Sequence, residues 1–256
     1  MNSVRLAFTE HGPKEGQPIL LSGSLGSTQA MWGEQVSTLK ERARVITFDH
    51  RGHGGSPTPL GPYTLDDLGM DTLALMDELG LDQVDFVGLS LGGMVGMWIA
   101  ENAPMRLNKL VLMCCAAKVD DVAPWMDRAR AAREHGTASI APMVASRWLT
   151  PEFAETHPEI EQTLVAMIAN TTDEGYAGCC EAIATMNLQD QLNTIDAQTL
   201  VIAAAQDPST PAETTVAPIA QGIVNSQYVV VDDAAHLVNV QQPALVNGLL
   251  TGFLLD

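Results

Sequence analysis

A glycine-rich segment joins two stretches of different hydrophobic period. Residues 88–93 have the sequence GLSLGG, with an apolar run typical of a strand before them at 84–87. After them, residues 94–100 continue apolar for two helical turns. A strand that passes directly into a helix at Ser90 leaves room only for glycine two positions to either side. A serine at such a turn is typical of the nucleophile of serine hydrolases.

The same turn favours chemistry at Ser90. Its hydroxyl projects from the turn, and the N–H of Leu91 lies at the start of the following helix. The positive end of the helix dipole can stabilise an oxyanion there. Because a bare G-x-S-x-G pattern also occurs by chance or as a simple loop, the prediction depends on the flanking strand and helix.

The charge of the chain restricts its partners. Its 256 residues include 13 Lys and Arg against 31 Asp and Glu, a formal net charge of −18. Nucleic acids and anionic membranes bind basic patches, so we expect neither as a partner. Much of this charge serves solubility, and an anionic substrate would need a local cation. The oligomeric state stays open.

The amino-terminal sequence and the cysteines indicate a compartment. Residues 1–6 lack a basic region followed by an apolar stretch, so we expect no signal peptide. No uninterrupted apolar run reaches the roughly 18 residues of a membrane span. The four cysteines form two adjacent pairs, Cys114 with Cys115 and Cys179 with Cys180, and adjacent cysteines rarely form disulfides. We therefore expect buried free thiols in a soluble, cytoplasmic protein.

Segments with strand and helix patterns alternate along most of the chain. The strand patterns lie at residues 4–9, 18–21, 45–48, 84–87, 110–113, 200–203 and 228–231, and the helical ones at 32–41, 65–79 and 94–102. This alternation predicts an α/β fold, with a mostly parallel central sheet flanked by helices.

Residues 119–191 break that pattern. They lack β-branched runs and are typical of several short helices separated by Gly and Pro. We expect them to form a helical cap, inserted in a core that comprises residues 1–118 and 192–256. Such a cap would lie above the carboxyl edge of the sheet, where ligands bind in open α/β folds.

A serine nucleophile needs a base, and the base needs an acid that orients it. Asp207 and His236 each follow a predicted late strand, so both are expected at the carboxyl edge near Ser90. The chain order Ser, Asp, His matches that of known hydrolases with this turn. Asp232 and Asp233 are alternatives for the acid, although a turn role suits them better.

His50 and His53 are the other pair with possible chemistry. They flank Arg51 and Gly52 in a loop and could suggest a metal site, but no third ligand is evident nearby. No G-x-G-x-x-G or phosphate-loop motif is present either. We therefore expect neither a metal nor another cofactor.

The second oxyanion donor is expected in the loop after the strand at residues 18–21. This loop reads SGSLGS over residues 22–27. Its turn places the N–H of Leu25 toward Ser90, with Ser24 as the alternative. The first donor is the N–H of Leu91. A plain turn with no inward N–H is the competing interpretation.

Together these residues resemble the α/β-hydrolase superfamily across essentially the whole chain. The resemblance is carried by the turn at Ser90, the sequence DHRGHG at 49–54 and the late Asp207 and His236. Within the superfamily the chain looks like the 3-oxoadipate enol-lactone hydrolases of the β-ketoadipate pathway of aromatic catabolism. The matching stretches are residues 24–27, 31–32, 61–64, 88–94 and 102–104, with 116–118, 147–148 and 174–180 in and beside the cap.

The chain departs from that family at a few positions. The family more often has Asn at the position of Gly23 and Met at that of Leu91, and its acid loop commonly differs before Asp207. These changes leave the three catalytic candidates in place, but they affect how specifically the resemblance defines the substrate.

The resemblance implies a Ser-His-Asp acyl-enzyme mechanism acting on a five-membered enol-lactone with a free carboxylate. This carboxylate needs a cation in so acidic a chain. Arg147, beside Trp148 in the cap, is the first choice and Arg133 the second, because guanidinium binds carboxylate at two points. A surface ion pair is the competing interpretation for Arg147.

Other functions remain open at this point. A carboxylesterase, another lactonase or a cofactor-free perhydrolase would share the three residues and differ in the cap. A non-catalytic small-molecule receptor would need an exposed apolar docking patch, for which the acidic composition gives no support.

Overall fold

The computed structural model describes residues 3–256, so residues 1 and 2 of the amino-terminal segment lie outside the described residues. Its strands are β1 Phe8–His11, β2 Gln17–Ser22, β3 Ala43–Phe48, β4 Val84–Leu89, β5 Leu107–Met113, β6 Gln198–Ala204 and β7 Ser226–Val231. Its α-helices are α1 Gly33–Leu39, α2 Leu65–Glu78, α3 Leu91–Asn102, α4 Ala123–His135, α5 Thr137–Ala145, α6 Pro151–Thr156, α7 Pro158–Ala169, α8 Asp173–Thr185, α9 Ala217–Gly222, α10 Val238–Gln241 and α11 Pro243–Leu254. Short helical turns lie at Gln29–Trp32, Pro104–Arg106, Gln189–Thr194 and Ala212–Val216.

The strands form one sheet in the order β1-β3-β2-β4-β5-β6-β7. Only β1 pairs antiparallel within this sheet of described residues, and the remaining pairs are parallel. Every residue of β4 is buried. A parallel sheet covered on both faces requires such continuous apolar strands, so the predicted α/β class with a mostly parallel sheet is confirmed.

Helices pack against each other on the flanks of the sheet, α1 with α11 and α2 with α3. Helix α2 is capped by Thr64, whose hydroxyl accepts the N–H of Asp67 while the Asp67 carboxylate accepts the N–H of Thr64. This reciprocal cap fixes the start of α2 at the predicted position. Helix α3 is buried through Ala100, as its uninterrupted apolar sequence requires.

The first strand differs from the prediction. The alternating pattern at residues 4–9 predicts a strand there, but β1 begins only at Phe8. The N–H of Val4 instead donates to Oδ1 of Asp71 in α2, at 2.7 Å. The register of β1 is set by its antiparallel partner, with Phe8 opposite Phe48. The alternation of apolar and polar residues within one segment does not show how that segment pairs with another strand.

Five helices, α4 to α8, lie between β5 and β6 in the chain, as predicted for an inserted helical cap. Helix α4 packs on α8, and α5 packs on α7. The two ends of this insertion lie side by side. Lys118 and Asn187 form an antiparallel bridge, and the N–H of Leu188 donates to the carbonyl of Ala117 at 2.8 Å. The boundaries of the cap at 119 and 191 stay a prediction that this closure supports.

The structure also bears on the predictions about membrane spans and about the cysteines. Within residues 3–256, the structure has no helix of the length and apolarity that a bilayer span requires. Cys114, Cys115, Cys179 and Cys180 are buried and free, so the prediction of buried free thiols is confirmed.

Candidate active site

Ser90 occupies the sharp turn between β4 and α3. Its backbone angles are φ 57° and ψ −115°, a region that residues other than glycine rarely adopt. The N–H of Ser90 donates to the carbonyl of Met113 at the end of β5, 2.9 Å away. The turn is therefore held by the neighbouring strand, and such strain is concentrated at functional positions.

The two glycines around Ser90 are required by contact between backbones. A Cβ atom at Gly88 would overlap the carbonyl of Gly92, and one at Gly92 would overlap the carbonyl of Ser22. Any larger residue would separate β4 from α3 or α3 from β2. The steric reason that the sequence suggested for these glycines is thus present in the structure.

Backbone N–H groups of two segments lie beside this turn. Leu91 is the first residue of α3, where an N–H has no acceptor within its own helix. The next N–H, that of Gly92, donates to the carbonyl of Gly23 at 3.0 Å and joins the helix to the loop after β2. Ser24 and Leu25 of that loop line the same cavity as Ser90. The geometry thus permits both predicted donors, Leu91 and Leu25, and leaves Ser24 as the alternative.

The candidate acid and base meet at the carboxyl edge of the sheet. Asp207 follows β6, His236 follows β7, and Nδ1 of His236 lies 2.8 Å from Oδ2 of Asp207. Asp232 and Asp233 do not occupy this position: both side chains are exposed, and Asp233 forms a turn with φ 52°. The structure therefore pairs His236 with Asp207.

The Asp207 carboxylate accepts hydrogen bonds from its own loop as well. The N–H groups of Ser209 and Thr210 donate to Oδ1 at 2.7 and 3.2 Å, and the Thr210 hydroxyl donates to Oδ2 at 2.5 Å. Burial by itself raises the pKa of Asp207, but the charge of His236 and these hydrogen bonds together lower it to about 2. The carboxylate is therefore ionised and can hold an imidazolium.

Ser90 and His236 open into one cavity of about 410 Å³ beneath the cap. Core residues form its floor and cap residues form its walls. The residues that line it are Ser24, Leu25, Ser90, Met94, Ala116, Lys118, Val119, Asp120, Pro124, Trp125, Arg128, Val144, Arg147, Trp148, Tyr176, Ser209, Thr210, Thr215 and His236. This volume is in the range of small-molecule sites, about 300–1,000 Å³.

Lys118, Arg128 and Arg147 line this cavity in an otherwise acidic chain. Lys118 forms an ion pair with Asp120, with Nζ 3.3 Å from Oδ1. The guanidinium carbon of Arg128 lies 4.7 Å from the ring centre of Trp125. This cation–π contact orients Arg128 without neutralising it. The cavity therefore has a net positive lining on the side formed by the cap.

Arg147 and Trp148 lie where the cap returns to the core. Nη2 of Arg147 donates to the carbonyl of Pro208, beside the acid, at 3.0 Å. Its Nε is buried and has no acceptor, and within residues 3–256 the side chain makes no salt bridge. The carbonyl of Trp148 accepts the N–H of Leu237 at 2.9 Å, which fixes this segment against the residue after His236.

Arg133, the second choice for the substrate carboxylate, does not reach this cavity. Its guanidinium donates to the carboxylates of Glu174 and Glu181 in α8, at 2.5–3.0 Å. These two hydrogen-bonded carboxylates raise its pKa. The physical reason is helical geometry: Arg133 is five residues beyond Arg128 on α4, about 140° around the helix. The structure therefore assigns Arg133 to an ion pair between α4 and α8.

Sequence reasoning missed Trp125 and Arg128. The two are three residues apart on α4, a spacing that places side chains on one face of a helix. That W-x-x-R spacing was a usable signal for a cation held by an aromatic ring. The face of α4 that meets the cavity, however, depends on the packing of α4 against α8.

Comparison with known proteins agrees with this geometry. The family model described as the alpha/beta hydrolase fold matches residues 18–243. The chain is 41% identical over 247 residues to 3-oxoadipate enol-lactonase 2 of Acinetobacter baylyi, covering 95% of this chain and 91% of that protein. It is 33% identical to 3-oxoadipate enol-lactonase 1 of the same organism, over 97% and 92% of the two chains. The crystal structure of the enol-lactonase from Burkholderia xenovorans LB400 superposes with a TM-score of 0.96 at 33% identity, over 99% of this chain and 97% of that one.

Proposed function

The chain belongs to the α/β hydrolase fold family, and we propose that it hydrolyses 3-oxoadipate enol-lactone to 3-oxoadipate in the β-ketoadipate pathway of aromatic catabolism. It is an enzyme of the lactone-hydrolysing type by its similarity to the enol-lactonases. The observation that carries the proposed substrate is the cavity, which brings Ser90 and His236 together with unneutralised guanidinium groups. Hydrolysis of a small anionic ester needs the nucleophile and its base, and binding of its carboxylate needs a positive charge.

The first half of the reaction breaks the lactone ring. Ser90 attacks the ring carbonyl while His236 takes the hydroxyl proton, and Asp207 stabilises the imidazolium that forms. The N–H groups of Leu91 and Leu25 hold the oxyanion, each donor contributing about 3 kcal/mol to transition-state stabilisation in comparable sites. Collapse of the tetrahedral intermediate expels the ring oxygen as an enolate. His236 protonates this enolate, and the enol tautomerises to the ketone.

The second half releases the acid. A water molecule donates a proton to His236 as its oxygen attacks the acyl-Ser90 ester. The same two N–H groups hold the second oxyanion. When this intermediate collapses, the proton on His236 passes to Ser90 and free 3-oxoadipate leaves. The residues are then in their starting protonation states, so no other co-reactant is required.

Recognition of the substrate carboxylate is assigned to the cap. Arg147 lines the cavity, and one end of its guanidinium is fixed on the carbonyl of Pro208. Arg128 contributes a second positive charge to the cavity lining, held on Trp125. A guanidinium binds a carboxylate by charge-assisted hydrogen bonds, which are stronger than neutral ones. We assign Arg147 as the anchor, Trp148 as a further substrate-binding residue of the cavity wall and Arg128 as an accessory cation.

We propose a cytoplasmic location, which the four buried free thiols support because they suit a reducing compartment. Its direct partner is the small anionic lactone.

The substrate is tested by comparing specificity constants. Purified protein is assayed with freshly generated enol-lactone and with p-nitrophenyl acetate, a neutral ester that needs the same nucleophile and no anion anchor. The proposal predicts a kcat/KM at least about a hundredfold higher for the lactone, which corresponds to about 2.7 kcal/mol of selective transition-state binding. A preference for the neutral ester would instead identify a general carboxylesterase.

A further inference from the structure

Two buried histidines lie directly beneath the candidate oxyanion hole. His50 and His53 belong to the loop after β3, and their side chains are 3% and 0% exposed. Their rings lie edge to face with centres 6.3 Å apart. Neither lines the cavity that holds Ser90, so neither can contact substrate there. Their hydrogen bonds instead connect them to the two backbone segments that carry the oxyanion donors.

The hydrogen bonds of His53 define its tautomer. Nδ1 lies 3.0 Å from the carbonyl of Arg51, which can only accept, so Nδ1 must carry the ring proton. Nε2 is then an acceptor, and it receives the N–H of Gly26 at 2.9 Å. Burial lowers the pKa of His53 and keeps the ring neutral. A protonated ring could not accept the Gly26 N–H.

This second bond fixes the peptide unit next to Leu25. Gly26 has φ 83°, a left-handed conformation that turns the chain sharply. The turn has two hydrogen bonds of its own, from the N–H of Ser27 to the carbonyl of Ser24 at 3.0 Å and from the Ser27 hydroxyl to the same carbonyl at 2.7 Å. Without the bond to His53, the peptide that links Leu25 to Gly26 could rotate. The Leu25 N–H belongs to the preceding peptide unit, which meets this one at the Leu25 Cα atom, so a fixed Leu25–Gly26 peptide restricts the direction of the Leu25 N–H.

His50 braces the other side of the hole. Its Nε2 lies 3.1 Å from the hydroxyl of Ser22, the last residue of β2. The backbone of Ser22 packs against Gly92, with no room for a Cβ atom between them. The adjoining carbonyl of Gly23 accepts the N–H of Gly92. These contacts fix the first turn of α3, which carries the N–H of Leu91.

We propose that His53 is a positioning residue of the oxyanion hole, with His50 as a second brace, so that the two histidines hold the Leu25 and Leu91 donors in place. This proposal rests on the proposed Ser90 mechanism, in which those N–H groups bind the oxyanion. The loop pair that the sequence offered as a possible metal site thus gains a role in catalysis through the backbone. Catalysis benefits because preorganised donors need no rearrangement as charge develops.

The test compares two substitutions of His53. Glutamine can accept the Gly26 N–H through Oε1 and donate to the Arg51 carbonyl through Nε2, whereas leucine can do neither. His53→Leu should lower kcat for p-nitrophenyl acetate about 10- to 100-fold with KM within about threefold, the loss expected for weakening one oxyanion donor. It should weaken binding of phenylboronic acid, whose adduct with serine is a tetrahedral anion, by a similar factor. His53→Gln should recover most of both losses.

Controls separate this role from general stability. His157→Leu removes a partly buried histidine that stacks on Phe153 outside the cavity, and should leave kcat and boronate affinity unchanged. Active serine is counted in each variant by titration with a fluorophosphonate, and rates are expressed per active site. Wild-type rates and boronate affinity in folded His53→Leu would overturn the proposal, as would His53→Gln behaving like His53→Leu per active site.

A measurement on the unmodified protein keeps the proposal testable if the variants fail to fold. In ¹⁵N-histidine NMR spectra, His53 should be protonated at Nδ1 and bare at Nε2 throughout pH 6–9. Protonation at Nε2 would overturn the proposal, because that nitrogen could not accept the Gly26 N–H. The ester assay also separates the role proposed for His53 from the proposed function. Ester hydrolysis retained in Ser90→Ala would defeat the Ser90 mechanism. Loss of the preference for the lactone, by itself, would leave the role of His53 intact.

Discussion

The side-chain amide of Gln241 is hydrogen-bonded twice to Thr150, accepting the Thr150 N–H at 3.2 Å and donating to the Thr150 hydroxyl at 2.6 Å. The same amide accepts the N–H of Ala235 at 3.2 Å and donates to the carbonyl of Asp233 at 2.9 Å. One buried amide therefore ties the cap, at the residue before α6, to the loop that carries His236.

Gln241→Leu should destabilise the protein by about 3 kcal/mol, because it leaves the buried N–H groups of Ala235 and Thr150 without acceptors. It should also lower kcat, since the loop of His236 then keeps the bond from Leu237 to Trp148 but loses its bonds to Thr150. Urea unfolding and steady-state kinetics measure both effects. The neighbouring Gln242 is less buried, and its side chain donates one hydrogen bond, to the carbonyl of Asp233 at 3.2 Å. Gln242→Leu is the matched control, and equal destabilisation by the two changes would refute this account of Gln241.

Arg147→Ala should lower kcat/KM for the enol-lactone about 10- to 100-fold, because a charge-assisted hydrogen bond to the substrate carboxylate is lost. Hydrolysis of p-nitrophenyl acetate should stay within about threefold of the wild-type rate. Arg133→Ala is the control, since Arg133 pairs with Glu174 and Glu181 away from the cavity. An equal reduction with both substrates in Arg147→Ala would show that Arg147 supports the fold rather than the substrate.

Asp207→Asn should lower kcat about 10³- to 10⁴-fold while the protein stays folded, because an amide no longer selects the right tautomer of His236 or stabilises its charged form. With a pKa of about 2, the native carboxylate stays ionised through the usual assay range. Its protonation should therefore cause no loss of activity between pH 4 and 9. Asp233→Asn serves as the comparison, and it should retain activity within a few-fold. A large loss of activity in Asp233→Asn with little loss in Asp207→Asn would identify Asp233 as the acid of the site.

His50 should make the stability of the protein depend on pH. Burial, followed by the influence of His53, lowers the pKa of His50 to about 3, whereas an unfolded histidine titrates near 6.5. Between these values the unfolded chain binds a proton that the native chain does not, so stability falls as pH falls from about 6.5 toward 3. The slope is up to about 1.4 kcal/mol per pH unit. Urea unfolding at pH 7, 6 and 5 should show a shallower dependence for His50→Gln, and an unchanged slope would count against a neutral buried His50.

Much of the site was predictable because its chemistry follows from chain order. Parallel strands end at one edge of the sheet, so residues that follow β4, β6 and β7 must converge there. That rule places Ser90, Asp207 and His236 together from sequence alone, although 146 positions separate the first from the last. The same reasoning cannot place cap side chains, because their direction depends on how α4 packs on α8. Arg133 and Arg128 illustrate this: the structure directs the first to α8 and the second to the cavity.

Other features depend on pairings that leave no local pattern. The start of β1 is fixed by its partner β3, and Val4 is held by Asp71 of α2 instead of by the sheet. The bonds from Gln241 to Thr150 span 91 residues, and an isolated glutamine in a polar sequence gives no indication of them. The sequence DHRGHG likewise does not show that His53 accepts the N–H of Gly26 or that His50 contacts the hydroxyl of Ser22.

The most direct test of the account is the hydrolysis rate of 3-oxoadipate enol-lactone by Ser90→Ala at a concentration of folded protein equal to that of the wild type. The account predicts a fall in kcat of about 10⁶-fold, as for removal of the nucleophile in comparable enzymes, with the melting temperature essentially retained. Hydrolysis by folded Ser90→Ala at a rate near that of the wild type would contradict it.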